Sequence, residues 1–131
     1  MKKIIFSFLG VILALGIFYG CDRQPDQAST DEIKIGVILG FTGPIESLTP
    51  TMASSAELAM KEVSDSGLLL GGASVSSVRA DSTCVDAGAA TSAAERLVTS
   101  DNVAAIMGAD CSGVTTAIAN NVAVPNGVTI I

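Results

Sequence analysis

The hydrophobic pattern of the chain alternates, beyond residue 32, between short apolar runs and longer amphipathic stretches. The first run, 33–39, is apolar at both even and odd positions, because Ile38 lies opposite Val37 and Leu39. A strand that is apolar on both faces is typical of the interior of a parallel sheet. The later runs that we expect to form strands are 75–80, 103–107 and 128–131.

The amphipathic stretches between these runs predict three helices. Thr49-Pro50 has the residue types of an N-cap and a first helical position, and Asp86 can cap the second helix. The third helix is expected over 112–122. The apolar residues at helical spacing are Met52, Ala56, Ala59, Met60 and Val63 in the first helix, Ala90, Ala93, Ala94, Leu97 and Val98 in the second, and Val114, Ala117, Ile118 and Val122 in the third. This alternation predicts right-handed crossovers and a doubly wound, parallel α/β sheet.

The final apolar run reaches the last residue of the chain, Ile131. A sheet that ended there would leave apolar surface and backbone groups unpaired at its edge. We therefore expect 33–131 to be an incomplete domain, a fragment of a longer protein.

The N-terminal segment has the pattern of a leader. Lys2 and Lys3 precede an almost unbroken apolar run, 4–19, which is shorter than the about 20 residues of a membrane-spanning helix. This pattern predicts a secretory signal peptide over 1–20. A permanent N-terminal anchor helix is the alternative.

The end of this leader resembles the cleavage site of bacterial lipoproteins, in which cleavage before a cysteine leaves its sulfur to carry a diacylglycerol. Gly20 and Cys21 fit that pattern, whereas Phe18 and Tyr19 depart from it, since leucine and a small residue are usual there. Ordinary cleavage would instead leave Cys21 as an unpaired thiol. Residues 21–32, which are polar and lack an apolar period, predict a lipidated N-terminus and a flexible tether.

Composition narrows the possible functions. The chain has seven Lys and Arg against 13 Asp and Glu, a formal net charge of −6. An acidic chain argues against a nucleic-acid partner, which requires clustered cations. Phe41 is the one aromatic residue beyond the leader, so a stacking platform for bases is not available.

The chain contains no histidine. The commonest general base and the commonest metal ligand are therefore both missing. Cys111-Ser112-Gly113 could suggest a nucleophile turn, but Asp110 replaces the glycine that the G-x-S-x-G motif requires. We expect no catalytic residues, no metal and no cofactor.

Four segments, taken in order, resemble the leucine/isoleucine/valine-binding branch of the type I periplasmic binding proteins. They are 33–37 running into Thr42-Gly43-Pro44, 56–59 through Gly71-Gly72, 80–84, and 106–113. One departure is Val85-Asp86, where many relatives have Asp-Pro. The resemblance implies a two-lobed fold about three times this length, with 33–131 as the N-terminal part of lobe one.

The same resemblance implies a solute-binding protein of an ABC importer, located in the periplasm or cell envelope and held on the membrane by a lipid anchor. Its partners would be the transporter permease and a branched-chain amino acid or a similar small carboxylate or amide. The alternative is a ligand-sensing domain of a receptor or of an amide-type regulator, because those proteins share the fold.

Two cysteines, Cys84 and Cys111, follow the second and third predicted strands. Neighbouring parallel strands would place those two ends side by side, so a disulfide is sterically reasonable. The family resemblance implies the same pairing. Two free thiols in a cytosolic protein are one alternative, against which the leader argues. A metal site is another, and two cysteines without histidine are a poor zinc site.

The candidate ligand site lies at the carboxyl ends of the strands, where open α/β sheets bind ligands. Ser112-Gly113 begins the third helix, so free N–H groups and the positive end of the helix dipole could hold a carboxylate there. The resemblance implies this role for the serine beside Cys111. The alternative is that Ser112 only caps its own helix. Asp110 is either solvated or opposed to the ligand carboxylate.

An apolar rim for the ligand side chain is expected from the loop 41–48. Leu48 and the turn Thr42-Gly43-Pro44 are its candidate residues. A tight turn with a buried leucine explains the same residues equally well.

Overall fold

The computed structural model of the protein describes residues 31–131. The predicted signal peptide, 1–20, lies outside the described residues, as do Cys21 and almost all of the predicted tether. Within 31–131, no helix is both long enough and apolar enough to cross a membrane.

The described residues form four strands and three helices. The strands are β1 (Glu32–Leu39), β2 (Ser74–Asp81), β3 (Ala105–Gly108) and β4 (Thr129–Ile130), and the helices are α1 (Thr49–Ser66), α2 (Ala87–Thr99) and α3 (Ser112–Ile118). A short 3-10 turn, Leu69–Gly71, connects α1 to β2. A π-helical turn, Ala119–Ala123, continues α3.

All strand pairs are parallel, and the order across the sheet is β2-β1-β3-β4. The chain therefore leaves β1 in one direction to form β2 and then crosses back to form β3 on the other side. This arrangement confirms the predicted doubly wound α/β sheet. It also corrects one expectation, because β2 and β3 are not neighbours: β1 lies between them.

The two faces of β1 are buried in two separate cores. Val37 and Leu39 pack with Ala53 of α1 on one face. Ile38 packs on the other face with residues of α2 and α3, among them Leu97 and Ile118. All six side chains are at most 1% exposed. The helices thus cover both faces of the sheet, as a strand that is apolar on both sides predicts.

Helix α1 differs from its prediction in its start and in its buried face. Its N-cap position is Leu48, not Thr49. The Thr49 side chain is fully buried, and its hydroxyl donates to the carbonyl of Gly40 at 3.0 Å, so it fastens the helix to the end of β1 instead of capping it. Met52 and Val63 are 40% and 42% exposed, so the buried face is turned away from them.

Helix α2 agrees with its prediction. The Asp86 side chain caps it by accepting from the N–H of Ala89 at 2.9 Å. Ala90, Ala94 and Leu97 are its buried residues. The helix presents small side chains to the sheet, which allows its backbone to lie close to β1.

Candidate functional site

The carboxyl edge of the sheet is formed by three loops. We name them loop 1 (40–48), loop 2 (82–86) and loop 3 (109–111), which follow β1, β2 and β3. Loop 1 leads into α1 on one face of the sheet, whereas loop 3 leads into α3 on the opposite face. Loops that diverge from neighbouring strands leave a crevice, which is where this strand order binds ligands in other α/β proteins.

Loop 1 is held against β2 by Asp81. Its carboxylate accepts hydrogen bonds from the Thr42 hydroxyl at 2.6 Å, from the Thr42 N–H at 3.3 Å and from the Thr83 N–H at 2.8 Å. Partial burial raises the pKa of Asp81, but these hydrogen bonds outweigh it and hold the pKa below its usual value. The ionised carboxylate therefore fixes the relative position of loops 1 and 2.

Loop 1 also lies directly on loop 2. Gly43 has a φ of +95°, and a Cβ at this position would lie 2.5 Å from the carbonyl oxygen of Thr83. Glycine is required here both for the backbone conformation and for the close approach. The predicted Thr42-Gly43-Pro44 turn is thus a docked turn in this structure.

Loop 3 is held to the end of β1 by Asp110. One carboxylate oxygen accepts from the Gly40 N–H at 2.8 Å, and the other accepts from the Ser82 hydroxyl at 3.4 Å. The Asp110 carboxylate is therefore engaged within the protein, and it is not merely solvated. Its two bonds connect loop 3 with both other loops.

The cysteines complete this set of cross-links. Cys84 in loop 2 and Cys111 in loop 3 form a disulfide, with the two Cα atoms 5.2 Å apart. Because β1 separates β2 from β3, the disulfide passes over the end of β1. A Cβ on Gly40 would lie 3.3 Å from the Cβ of Cys84 and 3.5 Å from the Asp110 carboxylate. The absence of a side chain at Gly40 makes room for this crossing.

Ser112 is the first residue of α3, and Cys111 occupies the N-cap position without a side-chain cap. The interpretation of Ser112 as the cap of its own helix is therefore wrong, because the helix begins one residue earlier than a serine cap requires. The Ser112 side chain is exposed, and its hydroxyl has no hydrogen-bond partner among residues 31–131. It is free to face the crevice.

Gly113 lies beside Ser112 in the first turn of α3. A Cβ at Gly113 would meet nothing within 4 Å, so the space in front of this turn is open. The first N–H groups of a helix have no acceptor within the helix. The Thr115 N–H is the first to bond back, to the carbonyl of Cys111.

Leu48 lies at the opposite side of the crevice, at the N-cap position of α1. Its side chain is 60% exposed. The alternative of a buried leucine is thus wrong, since Thr49 and not Leu48 points into the protein. The structure places Leu48 and Ser112 at the starts of the two helices that diverge from this edge.

The contacts of two acidic residues of this edge were not found from the sequence. Asp81 ends β2 and Asp110 follows β3, and an acidic residue in such a position is usually solvated. Their partners Thr42 and Gly40 are 39 and 70 residues away along the chain. The only available signal was that both aspartates lie in segments that carry the family resemblance.

Two further observations concern a cavity away from this edge and the arrangement of residues that could hold a metal ion. An open cavity of about 430 Å³ lies between α1 and the first half of β2, lined by Glu57, Met60 and Ser74 among others. Within residues 31–131, no group of three or more acidic or cysteine side chains is arranged to hold a metal ion.

Comparison with protein families gives one match over the described part of the chain. A model described as periplasmic binding protein matches residues 32–131. A search of curated proteins found no match.

Solved structures of three solute-binding proteins are similar to this chain. LivJ, the branched-chain amino acid transporter substrate binding protein from Streptococcus pneumoniae in complex with isoleucine, is 29% identical with a TM-score of 0.68, and the match covers 76% of this chain and 28% of that protein. The leucine binding protein LivK from Thermotoga maritima is 30% identical with a TM-score of 0.64, covering 75% and 26%.

The third is a solute binding protein of an ABC transporter from Rhodopseudomonas palustris in complex with benzoate. It is 26% identical with a TM-score of 0.63, and the match covers 76% of this chain and 26% of that protein. The chain thus spans about a quarter of the length of these proteins.

Proposed function

The chain belongs to the periplasmic binding protein family, and on this premise we propose that it is part of an extracytoplasmic solute-binding lipoprotein that delivers a small carboxylate to an ABC importer. The fold is that of the N-terminal part of a lobe of the type I proteins. We assign 33–131 to lobe one, 21–32 to the lipidated tether and 1–20 to the signal peptide.

The observation that carries this proposal is the change of chain direction between β1 and β3, which implies a crevice at their carboxyl ends. Loop 1 and loop 3 diverge there toward opposite faces of the sheet, and α1 and α3 begin on either side of it. Open parallel sheets with this order bind ligands at this position. Three cross-linked loops give the crevice a fixed shape before any ligand enters.

The chemistry of the two sides favours a carboxylate attached to an apolar body. The unpartnered Ser112 hydroxyl and the N–H of Gly113 are donors at the positive end of α3, where a carboxylate is stabilised. Exposed Leu48 on the other side offers apolar contact. Isoleucine and benzoate, the ligands of two similar proteins, share this combination of a carboxylate and an apolar group.

Calorimetric titration of the full-length protein with L-leucine, L-isoleucine, L-valine and benzoate tests the proposal. At least one of these solutes should bind at a single site. The matched control is L-leucinol, which lacks the carboxylate and should bind much more weakly than L-leucine if L-leucine binds. Absence of binding by all four carboxylates would refute the proposed ligand class.

Attachment to the membrane is a separate part of the proposal, and it rests on Cys21. Replacing this cysteine, Cys21→Ala, should prevent lipid attachment and shift the protein from the membrane fraction to the soluble fraction. Fractionation with immunodetection measures the shift, and metabolic labelling with palmitate shows whether the native protein carries lipid. Unchanged fractionation of the variant would contradict lipidation at Cys21.

The sensor alternative uses the same lobe and the same crevice. Uptake of radiolabelled solute in cells that lack the protein distinguishes the two, because a transport protein restores uptake and a sensor does not.

A further inference from the structure

The side of β2 that faces α1 carries three polar residues. Ser77, Arg79 and Asp81 alternate along the strand, and Arg79 and Asp81 are paired in register with Val37 and Leu39 of β1. Because Val37 and Leu39 face α1, the polar residues lie on the same face of the sheet. When the polar side chains of an edge strand face a covering helix, they need hydrogen-bond partners on that helix or on the loop that leads into it.

The first two of these residues bind α1 itself. The Arg79 guanidinium donates two hydrogen bonds of 2.7 Å to the Glu57 carboxylate, and the Ser77 hydroxyl donates a third at 3.0 Å. Arg79 also lies over the ring of Phe41 in loop 1, 5.5 Å from its centroid. These contacts connect the middle of α1 and the start of loop 1 to the edge strand.

The third residue, Asp81, binds loop 1 and not α1. The Asp81 carboxylate accepts both hydrogen bonds from Thr42 and a further one from the Thr83 N–H. Thr42 stands between Gly40, to which Asp110 binds, and Gly43, which contacts the Thr83 carbonyl. Loop 1 is therefore fixed at three successive places, and Asp81 supplies the central one.

We propose that Asp81 is a positioning residue for the solute site: through Thr42 it holds loop 1, and with it Leu48, in the conformation that receives the ligand. The inference rests on the proposed function, since loop 1 forms one side of the proposed crevice. Asp81 itself does not touch the solute.

The expected effect follows from the population of the binding conformation. If loop 1 samples other conformations, the apparent affinity falls in proportion to the fraction that remains competent. Loss of the two bonds from Thr42 removes the central attachment of loop 1, and the contacts at Gly40, Phe41 and Gly43 remain. We expect the Kd to rise about tenfold, which corresponds to a competent fraction of about one tenth.

The test uses the full-length protein and the solute that binds most tightly among L-leucine, L-isoleucine, L-valine and benzoate. Asp81→Ala should raise the Kd about tenfold. Thr42→Val should raise it by a smaller factor, because the Thr42 N–H can still donate to Asp81, and the double variant should raise it no further than Asp81→Ala does. Thr42→Ser keeps the hydroxyl and should bind more tightly than Thr42→Val. The matched control is Asp65→Ala, which removes an exposed carboxylate that pairs with Lys61 in the described structure.

Amide hydrogen exchange in the ligand-free protein provides a readout that does not depend on binding. The N–H groups of Thr42 and Thr83 should exchange faster in Asp81→Ala than in the native protein, whereas that of Ala89, which Asp86 holds, should not change.

The outcomes separate the positioning role from the proposed function. If the native protein binds none of the four solutes, the proposed function fails, and the positioning role fails with it. If the native protein binds and Asp81→Ala binds equally well, the positioning role alone is wrong. A lowered melting temperature with native affinity, or a double variant whose losses are additive, assigns Asp81 to fold stability and overturns the inference.

Discussion

Replacing both Cys84 and Cys111 with serine is expected to lower the free energy of unfolding of lobe one by about 3–4 kcal/mol. The disulfide closes a loop with a sequence separation of 27 residues, and opening it restores the conformational freedom of that loop in the unfolded chain. It also joins loops 2 and 3 over the end of β1, so the double variant should bind solute more weakly as well.

Urea denaturation of the exported full-length protein, followed by circular dichroism, measures this loss. Ser54→Ala together with Ser55→Ala is the matched control, since those hydroxyls bond to carbonyls of their own helix on the exposed side. The control should change the free energy of unfolding by less than about 1 kcal/mol. Two titratable thiols at Cys84 and Cys111 in the denatured, unreduced protein would contradict the expectation.

Ser112→Ala is expected to weaken solute binding by the full-length protein about ten- to a hundredfold, because it removes a hydrogen bond to a charged group that contributes about 1.5–3 kcal/mol. The N–H groups of the first turn of α3 remain, so binding should weaken and not vanish. The melting temperature should stay close to that of the native protein, since Ser112 does not cap its helix.

Thr116→Ala is the matched control for this variant. Thr116 lies one turn further along α3, is exposed, and its hydroxyl donates to the Ser112 carbonyl at 2.8 Å. Titration should give native affinity for Thr116→Ala and reduced affinity for Ser112→Ala. Equal affinity of the two variants would exclude Ser112 from the ligand contacts.

The elements that could be predicted are those whose sequence pattern is compatible with only one structure. A run with Val37 and Leu39 on one side and Ile38 on the other requires cover on both faces, and the structure provides it. Asp86 followed by small and apolar residues at helical spacing fits only a capped helix against the sheet. Local chemistry decides both cases.

The first helix shows where such reasoning fails. Apolar residues surround α1, so the sequence did not determine which face is buried, and Met52 and Val63 are substantially exposed. The Thr49 hydroxyl suits a cap, but the carbonyl of Gly40 is a partner that exists only in the folded protein. Tertiary contacts, which exist only in the folded protein, therefore determined where α1 begins and which of its faces is buried.

The sequence predicted which edge of the sheet carries the candidate site, but it did not predict the contacts that connect the loops there. Leu48 ends the loop after the first predicted strand, and Ser112 begins the helix after the third. The rule that ligands bind at carboxyl ends placed both at this edge, and the family resemblance singled out Ser112 for the ligand carboxylate. The strand order was not available from the pattern, so the disulfide was expected between neighbouring strands and instead passes over β1. The carboxylates of Asp81 and Asp110 bind groups remote in sequence, which no local motif reveals.

The most direct measurement is a crystal structure of the full-length protein with its bound solute. The solute carboxylate is expected in the crevice between β1 and β3, within hydrogen-bond distance of the Ser112 hydroxyl and the Gly113 N–H, with its apolar part toward Leu48. A solute whose carboxylate is held by other residues, or that lies away from this crevice, would contradict the proposed site.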